Sequence, residues 1–197
     1  MSKKVSVKVN QPLIGLTVLP VVVVTCIDKD GKPNLIPLGW VGGVCSDPPQ
    51  LGIAIRRKPV KRYSYDLILE TKEFVVNIPD EDLVEKVDIA GFISGRDVDK
   101  FEELGLTPVP ASKVKVPLID ECPVNLECVL RQHFVLGSHG LFIGEIVAVD
   151  VDEELAKPEG DPDFSKTRPY VLRWYDYCGL RYERIGYYGY TQKEARE

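Results

Sequence analysis

Several sequence signatures of nucleotide, metal and hydrolase sites are missing from this chain. There is no G-x-x-x-x-G-K-[ST] loop and no G-x-G-x-x-G after a strand-like run, which excludes a P-loop and a Rossmann dinucleotide site. The absence of G-x-S-x-G argues against a serine hydrolase elbow. With only two histidines, His133 and His139, a histidine-rich metal centre has too few ligands, and we predict no metal site.

Cysteine pairs and long apolar runs are missing as well. The five cysteines are odd in number and contain no C-x-x-C pair, so neither a disulfide framework nor a zinc site is indicated. The start, MSKKVSVKVN, has no apolar segment of the signal-peptide kind, and no apolar run is long enough to cross a bilayer. These features predict a cytoplasmic protein without a membrane partner.

The chain has 197 residues and a formal charge of −5, which suits one domain, with or without an appendage. An acidic protein lacks the basic face that nucleic acid requires, so we expect no nucleic-acid partner. Against this background a cluster of positive charges stands out at Arg56, Arg57, Lys58, Lys61 and Arg62. Such a local cluster is better suited to one small anion than to a polymer.

Many short strand-like segments predict the fold class. The β-branched run VVVVTCI at 21–27 is typical of a buried strand, and Asp28 to Pro33 has the composition of a hairpin turn. Two further strands follow at 34–46 and 50–56, another at 74–78, and a long hairpin is expected from 124–136 and 141–151. Strands in succession with helices inserted between them favour a mainly β antiparallel barrel.

Three helices are expected between these strands. The first follows Pro59, with Val60, Tyr63, Leu67 and Ile68 at helical spacing. The second would be capped by Asp80 or Asp82. The third begins near Asp97 and ends at Gly105. Residues 106–123 are rich in proline and predict an extended connector.

The stretch NLIPLGWVGGVCSDPP at 34–49 carries the strongest functional signal. Gly39 to Gly43 would let backbone N–H groups approach a flat ligand, and Trp40 could cover one of its faces. Ser46 with Arg56, Arg57 and Lys58 could bind a phosphate. Because no other redox group is visible, any redox chemistry would need a bound organic cofactor, and a flavin, FMN, meets these demands.

Each of these features also has a purely structural interpretation. Trp40 could be a core residue, the basic cluster a solvated face, and Ser46-Asp47-Pro48-Pro49 a turn that ends a strand. Their value lies in falling within about twenty-five residues of one another.

Taken in order, several motifs resemble the flavin reductase-like family of FMN-binding split barrels, which includes the flavoredoxins. They are the Gly-Trp and S-D-P-P sequence at 39–49, EFVVNIP at 73–79, SGRDVDKF at 94–101, LEC at 126–128 and SHGLFIGEI at 138–146. The resemblance spans about residues 21–151. It implies a six-stranded antiparallel Greek-key split barrel and a homodimer with one non-covalent FMN per subunit near the interface.

The resemblance also implies roles for individual residues. Residues 40–42 would line the flavin ring, Cys45 and Ser46 with residues 56–58 would hold the phosphate, and Lys100 would be the cation near the reduced ring. His139 would lie near the flavin or the nicotinamide. The complete predicted cofactor site is Gly39, Trp40, Val41, Gly42, Cys45, Ser46, Ile55, Arg56, Arg57, Lys58, Ser94 and Lys100.

We therefore expect a split-barrel domain at 1–155 and a Tyr-rich extension at 156–197 that packs on the barrel or on a partner subunit. The expected function is an FMN-dependent oxidoreductase that takes a hydride from NAD(P)H and passes electrons to free flavin, ferric complexes or another small-molecule or protein acceptor. A flavoredoxin-like electron carrier without its own NAD(P)H oxidation is the first alternative. A cofactor-free ligand-binding barrel is the second.

Overall fold

An antiparallel sheet dominates the fold in the computed structural model, which describes residues 18–157, 161–173 and 175–181. The strands are β1 (Leu19–Pro20), β2 (Val22–Ile27), β3 (Pro33–Leu38), β4 (Val41–Ser46), β5 (Pro49–Arg56), β6 (Glu73–Ile78), β7 (Pro108–Val109), β8 (Leu118–Ile119), β9 (Val124–Leu136), β10 (His139–Val151), β11 (Tyr170–Arg173) and β12 (Asp176–Gly179). Seven of them form one sheet in the order β3-β2-β6-β9-β10-β5-β4.

The predicted class, mainly β with inserted helices, is confirmed, although the main sheet has seven strands where six were expected. All its neighbouring strands run antiparallel. Two small sheets accompany it, β1-β11-β12 and β7-β8. In this topology β3 and β4 are adjacent in sequence but lie at opposite edges of the sheet.

The predicted hairpin turn between β2 and β3 is confirmed. Gly31 has a φ of 84°, and its N–H donates to the Asp28 carbonyl at 3.0 Å. The Asp28 carboxylate accepts hydrogen bonds from the N–H groups of Asp30 and Lys32. The turn needs a carboxylate at Asp28 and a positive φ at Gly31, and both residue types were visible in the sequence.

Three helices lie between the strands, α1 (Tyr63–Thr71), α2 (Val84–Phe92) and α3 (Lys100–Leu104). The start predicted near Pro59 is wrong, because α1 begins at Tyr63. The predicted cap of α2 is also wrong: neither Asp80 nor Asp82 caps it, and a short 3-10 turn, Glu81–Leu83, precedes it.

The boundaries of α3 follow the sequence prediction closely. Asp99 rather than Asp97 is its N-cap, and the Asp99 carboxylate accepts from the N–H groups of Phe101 and Glu102. Gly105 ends the helix with a φ of 55°, a conformation that glycine adopts without strain. Two more 3-10 turns lie at Glu153–Leu155 and Phe164–Lys166.

The C-terminal segment 168–181, which we call the arm, packs beside the start of α2. Its strand β11 pairs with β1 on one side and with β12 on the other, and Tyr170 is buried among apolar residues of α2 and α3. The Arg168 N–H donates to the Asp80 carboxylate at 2.9 Å, and the Glu81 N–H donates to the Arg168 carbonyl at 2.9 Å. The rest of the Tyr-rich extension predicted at 156–197 lies largely outside the described residues.

The core consists of three apolar clusters on the faces of the main sheet. The largest packs α1 against the sheet through Tyr65, Leu67 and Ile68, with Phe74 and Phe142 among its strand residues. Within the described residues, no helix combines the length and the apolar character needed to cross a membrane.

Candidate functional site

A cavity of about 520 Å³, the main cavity, opens between the end of β3, the outer end of β5 and the arm. Its walls include Trp40, Arg56, His139, Leu172 and Tyr175. The Ala54 N–H donates to the Trp40 carbonyl at 2.9 Å, which fixes the bend that follows β3 onto β5. Strand pairing places Arg56 opposite His139. Sheet pairing thus brings together residues that are far apart in the chain.

Two rings face each other in the main cavity. The centroids of Trp40 and His139 are 4.5 Å apart, and their planes meet at 35°. The Ser138 hydroxyl lies 2.8 Å from His139 Nδ1 and fixes the orientation of the ring. Burial, followed by the charge of Arg56, lowers the pKa of His139 below its usual value. The imidazole is therefore neutral at neutral pH.

A smaller space of about 100 Å³, the basic cleft, adjoins the main cavity. Ile36 and Arg62 line both spaces, so the two are adjacent. The basic cleft is also lined by Lys61, Arg96 and Lys100. Asp66 offsets part of this charge, since it pairs with Lys61 at 2.6 Å and with Arg96 at 3.5 Å. Four cationic side chains against one carboxylate leave the basic cleft suited to an anion.

Polar groups form the buried end of the basic cleft. The Asn34 side-chain amide donates to the Ser64 hydroxyl at 2.8 Å, whereas its buried Oδ1 has no hydrogen-bond partner within the described residues. A Cβ at Gly95 would lie 2.0 Å from that oxygen, so only glycine fits there. An unpaired buried acceptor of this kind is costly unless a ligand or a water meets it.

Lys100 lies at the same end and is only 5% exposed. Its Nζ donates to the carbonyls of Leu35 at 3.0 Å and Ala90 at 2.7 Å, which ties β3 to the end of α2. Burial, followed by the charge of Arg62, lowers the pKa of Lys100 to about 8. The lysine therefore carries most of its charge at neutral pH and loses it at moderately alkaline pH.

The structure brings about half of the predicted site together. Gly39, Trp40, Arg56 and His139 line the main cavity. Ser94 and Lys100 line the basic cleft.

The remaining predicted residues line neither space. Val41, Gly42, Cys45 and Ser46 belong to β4, whose residues 42–46 are all exposed at the edge of the sheet. A Cβ at Gly42 would meet nothing within 4 Å, so no close approach requires glycine there. In this structure the predicted phosphate ligands Cys45 and Ser46 thus lie apart from the basic cleft.

Three predicted residues of β5 and of the segment directly after it also point away from both spaces. Ile55 is fully buried in the core at 0% exposure. The Arg57 guanidinium donates to the Gly137 carbonyl at 3.0 Å, and Lys58 is exposed. Ile55 points to the opposite face from Arg56, because neighbouring residues of a strand alternate between the two faces.

Sequence reasoning did not assign several residues that shape the site. Lys61 and Arg62 belong to the basic cluster seen in the sequence, but Arg96 and Asn34 were not considered. Arg96 lies within the SGRDVDKF motif, which is the signal that could have identified it. Nothing in the local sequence indicates that Leu172 would line a cavity formed mainly by residues 36–62.

Comparisons with known proteins point to one family. The family model described as flavin reductase like domain matches residues 14–181. An uncharacterized protein of Archaeoglobus fulgidus is 42% identical over 134 residues, which is 68% of this chain and 73% of that protein.

Two solved structures are similar over nearly the whole chain. The flavoredoxin of Desulfovibrio vulgaris (Miyazaki F) is 30% identical, with a TM-score of 0.82 over 98% of this chain and 100% of that one. An FMN-binding protein from Thermus thermophilus, solved with bound 1-cyclohex-2-enone, is 25% identical, with a TM-score of 0.77 over 93% of this chain and 99% of that one.

Proposed function

Because this chain belongs to the flavin reductase-like family, we propose that it is an FMN-dependent oxidoreductase that oxidises NAD(P)H. One observation carries the proposal: a cavity with two facing rings adjoins a cleft lined by four cations. FMN combines a planar ring with a phosphate and therefore needs both compartments. The main cavity, at about 520 Å³, falls within the usual range for small-molecule sites.

The residues present fit this cofactor. Lys61, Arg62 and Arg96 would hold the phosphate, with the Ser94 hydroxyl as a further donor. Asn34 Oδ1 and Arg56 Nε are buried without a hydrogen-bond partner within the described part of the chain, and a polar ligand would satisfy them. The ring would lie against Trp40, where aromatic stacking is favourable.

When bound, FMN supplies the redox chemistry, since it accepts a hydride from a reduced nicotinamide and returns electrons to an acceptor. The protein binds and orients the reactants. His139 is held neutral beside Arg56, so it can donate one hydrogen bond and accept another without adding a charge. Arg56 and Arg62 line the main cavity and would supply positive charge to a flavin bound there, which would favour its reduced, anionic form.

We test the function on the purified protein mixed with FMN and freed of excess cofactor. The visible bands of bound flavin are expected to persist, and anaerobic NADH or NADPH is expected to bleach them. Protein that stays colourless would contradict the cofactor and favour a cofactor-free barrel. On a sizing column we expect twice the mass of one chain, because within the described residues the outer edge of β4 pairs with no strand and exposes Val44.

An electron carrier is the second candidate, and the similarity to a flavoredoxin over 98% of this chain favours it. A carrier would bind FMN equally well, but neither nicotinamide would bleach the flavin, whereas a chemical reductant would. Rates of bleaching with the three reductants, measured on one preparation, separate the two functions.

The charge of Lys100 predicts how FMN binding depends on pH. A bound phosphate stabilises the ammonium and raises the pKa of Lys100 above its value of about 8 in the free protein. Above pH 8 binding must therefore take up a proton. The affinity for FMN is expected to fall with rising pH, by up to about tenfold per pH unit.

Titrations of flavin fluorescence on both sides of pH 8 measure this effect, with riboflavin as the ligand without a phosphate. In Lys100→Met the affinity for FMN is expected to be weaker and the break near pH 8 to disappear. A break that persists in Lys100→Met would remove this residue from the explanation. The hypothesis that Lys100 lies near the reduced ring is tested by the midpoint potential of the same variant, which should then be lower.

A further inference from the structure

A third space, the aromatic groove, lies between α2 and the arm and has a volume of about 560 Å³. Arg56, Arg62, Leu172 and Tyr175 line both this groove and the main cavity, so a molecule in the groove would reach the ring compartment. The groove is not needed to hold the phosphate, because the basic cleft already supplies cations for it.

The walls of the aromatic groove are rich in rings. Phe92, the last residue of α2, is 84% exposed and lines it, as do Tyr175 and Tyr177 of the arm. An apolar ring with this much exposure beside a concave surface marks a place where a flat apolar partner would be stabilised.

The charge of the groove is positive where it meets the main cavity. Within the described residues neither Arg56 nor Arg62 forms an ion pair with a carboxylate. The buried Arg56 Nε has no hydrogen-bond partner there either. Asp88 is the carboxylate of the groove, and it accepts a hydrogen bond from the Tyr177 hydroxyl at 2.8 Å. Arg56 is therefore available for an anionic group of a ligand.

The two walls are held together by contacts outside the groove. The main chain of Arg168 pairs with Asp80 and Glu81, and Tyr170 is buried against α2 and α3. The Tyr177 ring packs edge-on against Tyr170, with 5.8 Å between centroids. A groove with fixed walls can bind a ligand without losing much conformational entropy of the protein.

We propose that the aromatic groove binds a planar aromatic carboxylate, with its ring on Phe92 and Tyr177 and its carboxylate on Arg56. A single negative charge fits better than a dinucleotide pyrophosphate, because Asp88 repels further negative charge. Binding does not depend on the flavin; the assignment of the groove as the second-substrate site rests on the proposed function.

Binding of 2-naphthoate to the full chain tests this site, with the neutral 2-naphthamide as a ligand of the same shape. Calorimetry is expected to show tighter binding of the acid. Phe92→Ala should weaken the affinity for 2-naphthoate by about tenfold. Arg56→Met should abolish the preference for the acid over the amide. Ile89→Ala is the matched control, since Ile89 lies on the same helix, is 41% exposed and does not line the groove.

Equal affinities for acid and amide would overturn the proposal, as would equal effects of Phe92→Ala and Ile89→Ala. The titrations are repeated with FMN-loaded protein, where 2-naphthoate should still bind. Competition between the acid and FMN would assign the groove to the flavin, and displacement by NADPH would assign it to the nicotinamide donor. Either result would overturn the proposal. Acid binding in a protein that takes up no FMN would support the groove and refute the proposed function.

Discussion

Replacement of Glu127 by glutamine is expected to lower the free energy of unfolding by about 3 kcal/mol. Glu127 lies on β9 and is completely buried, at 0% exposure. A carboxylate in such a place is stable only if hydrogen bonds replace the water that it has lost.

The connector between β7 and β9 supplies those hydrogen bonds. Glu127 Oε1 accepts from the N–H and the hydroxyl of Ser112, each at 2.7 Å. Oε2 accepts from the N–H groups of Lys113 at 2.7 Å and Val114 at 2.8 Å. Burial alone would raise the pKa of Glu127, but these hydrogen bonds outweigh it and hold the pKa below the ordinary value.

Glutamine offers one acceptor oxygen where the carboxylate offers two, and its NH₂ group would face N–H donors. At least one buried N–H would then lose its partner. One neighbour reduces the penalty: burial and the nearby charge of Glu127 raise the pKa of Asp150, so the loss of that charge relieves Asp150. The expected net loss of about 3 kcal/mol allows for this relief.

Urea unfolding of the flavin-free proteins measures the loss, with Glu121→Gln as the matched control. Glu121 also accepts hydrogen bonds from its connector, from the N–H and the hydroxyl of Thr107, but at the protein surface. Water can replace those bonds, so Glu121→Gln should cost less than about 1 kcal/mol. A similar loss of unfolding free energy in the two variants would show that burial does not determine how much Glu127 contributes to stability.

The local elements of the fold were predictable because their causes are local. A turn that needs positive φ selects Gly31, and a helix end selects Gly105. The start of α1 was misplaced, since the apolar spacing that includes Val60 fits a helix, yet the buried face of α1 begins only at Ser64. Glu127 shows the limit most clearly, because an isolated acidic residue in a strand gives no sign that a distant connector will surround it.

Part of the candidate site was predictable because the sheet preserves the order of the sequence. Trp40 and Arg56 were identified because β4 and β5 form a hairpin that keeps their surroundings together. The same hairpin carries Cys45 and Ser46 to an exposed edge, where proximity in sequence suggested a phosphate site. Leu172 reaches the site through the arm, and such long-range packing leaves no pattern in a single sequence. Arg96, by contrast, lies in the SGRDVDKF motif and could have been identified from it.

The sequence places the phosphate at residues 56–58 with Cys45 and Ser46, whereas the structure favours the basic cleft. The two positions predict different results when single cationic residues are replaced. If the basic cleft binds the phosphate, Arg62→Met should weaken FMN binding by about 2 kcal/mol, or roughly thirtyfold, since a charge-assisted hydrogen bond is lost. Methionine keeps the apolar stem of the side chain, so the packing of Arg62 beside Ile36 is largely retained. The affinity for riboflavin, which has no phosphate, should change much less.

Arg57→Met and Lys58→Met are the matched controls, because the sequence placed these cations at the phosphate whereas the structure directs them away from the basic cleft. Flavin fluorescence titrations of the three variants with FMN and riboflavin separate the two sites. A larger loss in Arg57→Met or Lys58→Met than in Arg62→Met would place the phosphate at the outer end of β5. The ratio of the two flavin affinities decides the question, since damage to the ring compartment weakens both ligands and loss of a phosphate contact weakens only one.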